Sequence, residues 1–163
     1  MPVFKDISSV YFVRCELFDA GGARIVDNVY WQSITPDQYA PRADDNAFNV
    51  QEARWADFTP LQSMAKVHLD VKGTIRKIGT ESETLIFLHN PSTHLAFFVR
   101  AEVTSGKDGN EILPVTYDNN YVTVFPGETV SIRGQFGDAD LAGAKPWLRV
   151  EGVNAPRELS TIP

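Results

Sequence analysis

Trp55, Tyr117, Tyr121 and Trp147 are the residues best suited to contact a ligand. Aromatic rings give large, stiff contact area with a polar handle, which is how a sugar-stacking platform is built. Each also has a structural alternative: Trp147 heads a predicted strand and would be core, and Trp55 would pin a linker. His89 and His94 flank Asn90-Pro91-Ser92-Thr93, but no third metal ligand stands at a useful spacing, so they read as turn-edge residues. Asp118-Asn119-Asn120 and Asp138-Ala139-Asp140 are rich in oxygen. Calcium wants about six to eight oxygens in a wrapped loop, and neither stretch follows the Asp-x-Asx-x-Asx-Gly pattern. Both read as turns, and Asp44-Asp45 as a solvated loop. Serines lack a nucleophile elbow, and no metalloprotease, Walker or dinucleotide motif is present. Carboxylates occur singly, on turns and at strand ends. The expectation is therefore no catalytic residue, no metal and no cofactor.

The elements that would hold these residues are strands. At 163 residues and 43% apolar the chain can bury one domain core, with room for part of another. A formal net charge of −6 offers no basic stripe for nucleic acid. No apolar run approaches the roughly 18–20 residues that a membrane helix needs. The lone Cys15 excludes an internal disulfide; it lies in an alternating run and is expected to be a buried thiol.

Along the chain, Ser9 to Phe18 alternates, Asp19-Ala20-Gly21-Gly22 is a turn, and Arg24 to Trp31 resumes the alternation, which makes a β-hairpin. From Gln32 to Pro60 the pattern dissolves into a linker, with a short helical turn expected around Asn49 to Ala56. Strands then recur at Lys66–Ile78, Ser82–His89, Leu95–Thr104, Ile112–Tyr117, Tyr121–Phe125, Glu128–Phe136 and Trp147–Val153. Leu85-Ile86-Phe87-Leu88 reads as fully buried. Pro126-Gly127 has the requirements of a type II turn and is expected to set the register of the strands it joins. Short strands separated by turn signals every ~8–12 residues predict an all-β, immunoglobulin-like antiparallel β-sandwich preceded by a hairpin and a linker. The predicted boundaries are 1–35 hairpin, 36–60 linker, 61–156 sandwich and 157–163 tail.

Several motifs occur in an order that resembles the C-terminal portion of family 2 glycoside hydrolases, chiefly exo-β-D-glucosaminidases and β-mannosidases. They are Asn28-Val29-Tyr30-Trp31-Gln32-Ser33, Thr59-Pro60-Leu61, Leu113-Pro114-Val115-x-Tyr117-x-Asn119, Pro126-Gly127-Glu128-Thr129, Asp140-Leu141-x-Gly143-x-Lys145-Pro146 and Gly152-x-Asn154. Gln32 stands where the family usually has Leu, and Asn119-Asn120 is doubled. The resemblance implies that residues from about 60 onward are the last immunoglobulin-like domain and that 9–33 close the domain before it. It also implies that both catalytic carboxylates lie on a barrel outside this sequence. A retaining glycosidase needs two carboxylates about 5 Å apart on a rigid scaffold, and a barrel takes about 250 residues.

The expected function is thus a non-catalytic structural domain of a longer glycosidase. The resemblance favours a secreted or periplasmic setting. An independent carbohydrate-binding module and a free-standing adhesion or interaction sandwich are the alternatives. Expected partners are the parent's other domains and an oligosaccharide touching Trp55, Tyr117, Tyr121 or Trp147. An isolated hairpin is marginal in water, so the hairpin apolar residues Tyr11, Phe12, Tyr30 and Trp31 either fold back on the sandwich or meet a hairpin of another copy, and the homodimer is the favoured of the two. Nucleic acid and membrane are not expected partners.

Overall fold

The computed structural model describes residues 7–41 and 50–163. The chain divides into two compact units, Met1–Ser63 and Met64–Pro163.

In the first unit, β1 (Val10–Phe18) and β2 (Arg24–Ser33) pair antiparallel from Val10 opposite Ser33 to Phe18 opposite Arg24. The connecting turn is held by Asp19, whose Oδ1 accepts the N–H groups of Gly21 and Ala23, both at 2.8 Å. Gly22 takes a φ of 83°, open to glycine without steric cost. Cys15 is exposed, against expectation. Strand alternation buries a side chain only where a second layer covers that face, and the two-stranded ribbon leaves Leu17, Phe18, Ile25 and Val26 at least half exposed as well.

The predicted linker contains further order. Short strands β3 (Gln38–Tyr39) and β4 (Glu52–Arg54) pair with each other, and Asp37 Oδ1 accepts the Ala56 N–H at 2.6 Å. The helical turn expected around Asn49 to Ala56 is thus replaced, from Glu52 onward, by extended chain; Asp44, Asp45 and Asn49 lie outside the described residues. A 3-10 turn covers Thr59–Ser63.

The second unit is an eight-stranded sandwich. Its strands are β5 (Asp70–Ile78), β6 (Glu81–His89), β7 (Ala96–Ser105), β8 (Thr116–Tyr117), β9 (Val122–Val124), β10 (Thr129–Gly137), β11 (Pro146–Glu151) and β12 (Glu158–Thr161). One sheet has the order β5-β6-β10-β8 and the other β12-β11-β7-β9, all antiparallel. Alternating residues of the two inner faces make the core: Ile86 and Leu88, Val99, Ala101 and Val103, Val122 and Val124, Ile132 and Phe136, Leu148 and Val150.

Four expectations change. Residues 157–163 are not a tail: β12 extends the second sheet beside β11, and Ile162 is buried in the core. Leu85 and Phe87 are only half-buried, because β6 is central in its sheet but has one face outward. The strand expected over Ile112–Tyr117 contracts to two residues, since Pro114 has no N–H to give a ladder. Pro126-Gly127 joins β9 and β10, which lie in different sheets, so it cannot set a register between them.

That turn is still specific. Glu128 N–H donates to Phe125 O at 3.1 Å across it, and Gly127 N–H donates to Asn90 O at 2.8 Å. Gly127 has a φ of 74°, and an added Cβ would meet nothing within 4 Å. The strain of Gly127→Val is therefore purely conformational, about 1–2 kcal/mol. Urea unfolding should show that loss, while Thr129→Ser stays close to wild type.

Candidate functional site

The fold places the four aromatic candidates apart. Tyr117 sits on β8 at the edge of the first sheet and reaches across the sandwich, where its hydroxyl accepts the N–H of Val103 on β7 at 3.0 Å. Gly134 on β10 makes room for the ring: a Cβ there would stand 2.9 Å from Tyr117 Cε1. Burial pushes the phenol up to about 12, outweighing the opposing effect of the hydrogen bond from Val103. Because this raised pKa belongs to the folded state, the associated stability is full below about pH 10 and is lost as pH climbs toward 12. Tyr117→Phe should abolish that alkaline loss and cost about 1–2 kcal/mol at neutral pH, by leaving the Val103 N–H unmatched. Thermal melts between pH 7 and the alkaline range read both effects.

Tyr121 lies just before β9, 49% exposed, with its ring centroid 5.0 Å from that of Phe98. Trp147 is the second residue of β11, opposite Thr104, and is half-buried, with Lys107 Nζ 5.8 Å from its ring. Phe98 and Thr104 are six residues apart on β7, roughly 20 Å at the rise of an extended strand. Tyr121 and Trp147 therefore cannot share one platform. Trp55, in the first unit, is 73% exposed.

The histidines are likewise dispersed. His68 Nδ1 contacts Glu158 at 2.8 Å, His89 contacts Thr129 at 3.1 Å, and His94 contacts Thr93 at 3.4 Å. Among the described residues no group of three or more His, Cys, Asp or Glu could hold a metal ion. Asp138 opens a short 3-10 turn, Asp138–Leu141, rather than a cation loop. Hydrogen bonds from Lys77 and then Ser82 hold its carboxyl below the usual carboxylate range.

Sequence reasoning missed a charged cluster on the outer face of the second sheet. Glu102 is 2% exposed although it points away from the core. Arg100 and Arg149 both pair with it, Arg100 also bonds Glu111 at 2.6 Å, and Arg149 Nη1 donates to Gly109 O at 3.2 Å. The signal was present as Arg100-x-Glu102, two outward positions on one strand, but the cross-strand Arg149 could not be assigned without the register. A second cluster joins Glu83 to Arg76 at 2.8 Å, Arg133 at 3.3 Å and Gln135 at 3.4 Å. Arg76 is the chief reason that the Glu83 carboxyl is held below its ordinary value.

Three asparagines act as internal clasps. Asn90 donates to His94 O and Val124 O while its Oδ1 accepts from Ser92. Asn120 bonds both the N–H and the carbonyl of Ala101, each at 2.9 Å. Asn154 accepts from Phe97 N–H and donates to Ala65 O and Leu95 O, all at 2.8 Å. An open groove of about 370 Å³ near Met64, His94, Leu95 and Pro126 has Asn154 as a polar lining residue, and its amide is already engaged.

Comparison with known proteins accounts for this frame. Residues 47–155 match the family model described as the exo-β-D-glucosaminidase Ig-fold domain. The exo-β-D-glucosaminidase of Amycolatopsis orientalis is 29% identical over 100% of this chain and 16% of its own length. That of Streptomyces avermitilis is 30% identical over 96% of this chain and 17% of its own, and that of Arthroderma benhamiae is 32% identical over 95% and 16%. The crystal structure of the Amycolatopsis orientalis exo-chitosanase CsxA superposes with a TM-score of 0.90 at 26% identity, covering 99% of this chain and 19% of that one. A point variant of the same enzyme has been solved in complex with PNP-β-D-glucosamine. The chain thus spans under a fifth of the relatives it matches, and is read above as the C-terminal portion of a family 2 glycoside hydrolase. With its two four-stranded sheets and this match over residues 47–155, the chain belongs to the exo-β-D-glucosaminidase Ig-fold domain family.

Proposed function

We propose that this chain is a non-catalytic accessory part of a longer glycosidase acting on β-D-glucosamine-containing oligosaccharides, and that it gives structural support to the catalytic domain. The carrying observation is where its polar side chains go. Tyr117, Asn90, Asn120 and Asn154 bind the domain's own backbone, and Glu102 and Glu83 are engaged by arginines. A rigid, internally satisfied block suits a support better than a catalyst. The chain alone should give no turnover of an aryl β-D-glucosaminide above buffer; activity surviving repurification would overturn the reading. Deleting residues 64–163 from the full-length protein should lower its inactivation temperature, and an unchanged temperature would count against support.

A second reading rests on the hairpin. Of the hairpin residues expected to meet a partner, Tyr11 and Phe12 are half-buried while Tyr30 and Trp31 are 48% and 37% exposed, and Leu17, Phe18, Ile25 and Val26 add 50–61% exposed apolar side chains on the same two-stranded ribbon. Such a ribbon favours self-pairing of the isolated chain. Light scattering should then find the full chain dimeric and a version starting at Thr59 monomeric.

A further inference from the structure

Two non-glycine residues with bulky rings share an unusual backbone state at one place. Phe98 has a φ of 53° and Tyr121 a φ of 55°, a region that residues of this shape rarely occupy. Phe98 arises at a bulge: Ala96 pairs with Val124 and Val99 with Val122, so Phe97 and Phe98 together oppose Thr123. Phe97 is buried, 3% exposed, while Phe98 is 39% exposed. Tyr121 is fixed by Asn120, whose Oδ1 accepts the Tyr121 N–H at 2.9 Å while the same amide clasps both backbone groups of Ala101. The strained backbone is thus over-determined by its surroundings, the condition under which strain is retained at working sites. Core packing does not explain it, since both rings end at the surface.

We propose that the Tyr121–Phe98 ledge is a carbohydrate-contact site that takes a β-linked glucosamine oligomer, with a pyranose face on the Tyr121 ring. This rests on the reading of the chain as part of a glucosaminidase. The two rings, 5.0 Å apart and tilted by 42°, give a stiff apolar shelf. Arg100, two residues after Phe98, supplies a one-third-exposed guanidinium held in place by Glu102 and Glu111, fit to meet sugar hydroxyls at the rim. A net charge of −6 on the chain favours an amino-sugar polymer over an anionic glycan.

The test is an amide-resolved NMR titration of the 163-residue chain with a fully deacetylated β-1,4-glucosamine hexamer. Shifts should centre on Phe98, Arg100 and Tyr121. Tyr121→Asn keeps a residue that tolerates positive φ; it should melt no lower than wild type yet bind about tenfold more weakly, the value of one lost stacking contact. Trp147→Phe should bind as wild type does. No shift at millimolar hexamer, unchanged affinity in Tyr121→Asn, or equal binding of a mannose hexamer would each overturn the assignment. A silent hexamer together with a less stable full-length Tyr121→Asn protein would instead identify the ledge as a contact for a neighbouring domain. Failure of the accessory-domain reading shows separately, in the deletion of residues 64–163, which uses no hexamer.

Discussion

Asn154→Ala is expected to destabilise the sandwich more than any other single polar truncation, by about 3–5 kcal/mol. Asn154 is 1% exposed, and its side chain satisfies three backbone groups at once. Ala65 lies before β5, Leu95 just before β7, and Phe97 at the bulge in β7. Val67 N–H also donates to Asn154 O at 2.9 Å, so the residue ties the segment leading into β5 to the second sheet from both its side chain and its backbone. Removing the amide leaves one N–H and two carbonyls without their partner, and each buried group left unmatched costs about 1–3 kcal/mol. Asn154→Asp discriminates the cause. It preserves size but cannot donate to the two carbonyls when ionised, so it should be nearly as damaging as alanine. Urea denaturation of both variants reads the result; a loss under about 1 kcal/mol in each would mean that water replaces the clasp.

Glu102→Ala should cost about 3 kcal/mol, through the opposite mechanism. Here a charge is removed, and the charges left behind carry the penalty. Arg149 and Arg100, with side chains 17% and 33% exposed, lose the carboxylate that neutralises them. Both keep other partners, Gly109 O for Arg149 and Glu111 for Arg100, and this holds the loss near the lower end of what breaking a buried pair costs. Arg149→Met should be milder than Glu102→Ala, because Glu102 still has Arg100 while the methionine keeps apolar cover on the sheet. The double variant Glu102→Leu/Arg149→Met should recover most of the stability, since an apolar pair of similar volume avoids desolvating charges. A loss in the double variant equal to the sum of those in Glu102→Leu and Arg149→Met would show that the two side chains are not energetically coupled.

The clasps and the charged cluster differ in how they could be read beforehand. Asn154 stood in the Gly152-x-Asn154 motif and Asn120 in a predicted turn, so both positions were marked without their partners. A side-chain amide that bonds its neighbours within a turn looks, in sequence, the same as one that reaches Ala101, nineteen residues away. Tyr117 shows the same limit. It was singled out as a ligand contact because tyrosine combines a ring with a polar handle, and in the structure that handle is turned inward to Val103. Its burial depends on a glycine at Gly134 on another strand.

The sequence by itself determined the class of the protein. Period-two alternation, the Asp19-to-Gly22 and Pro126-Gly127 turns, and the ordered motifs from Asn28 to Asn154 specified antiparallel strands and the glucosaminidase relationship. These signals are local, because a strand's alternation and a turn's φ requirement are written within a few residues. Only the tertiary structure decided which strands are neighbours. β9 and β10 are joined by the short Pro126-Gly127 turn yet belong to opposite sheets, while β12, four residues expected to be tail, completes a sheet. Alternation says that a strand has an inner face but not which strand lies beside it. That choice is made by the summed burial of both sheets, and it also decides which polar residues become clasps and which rings are left at the surface.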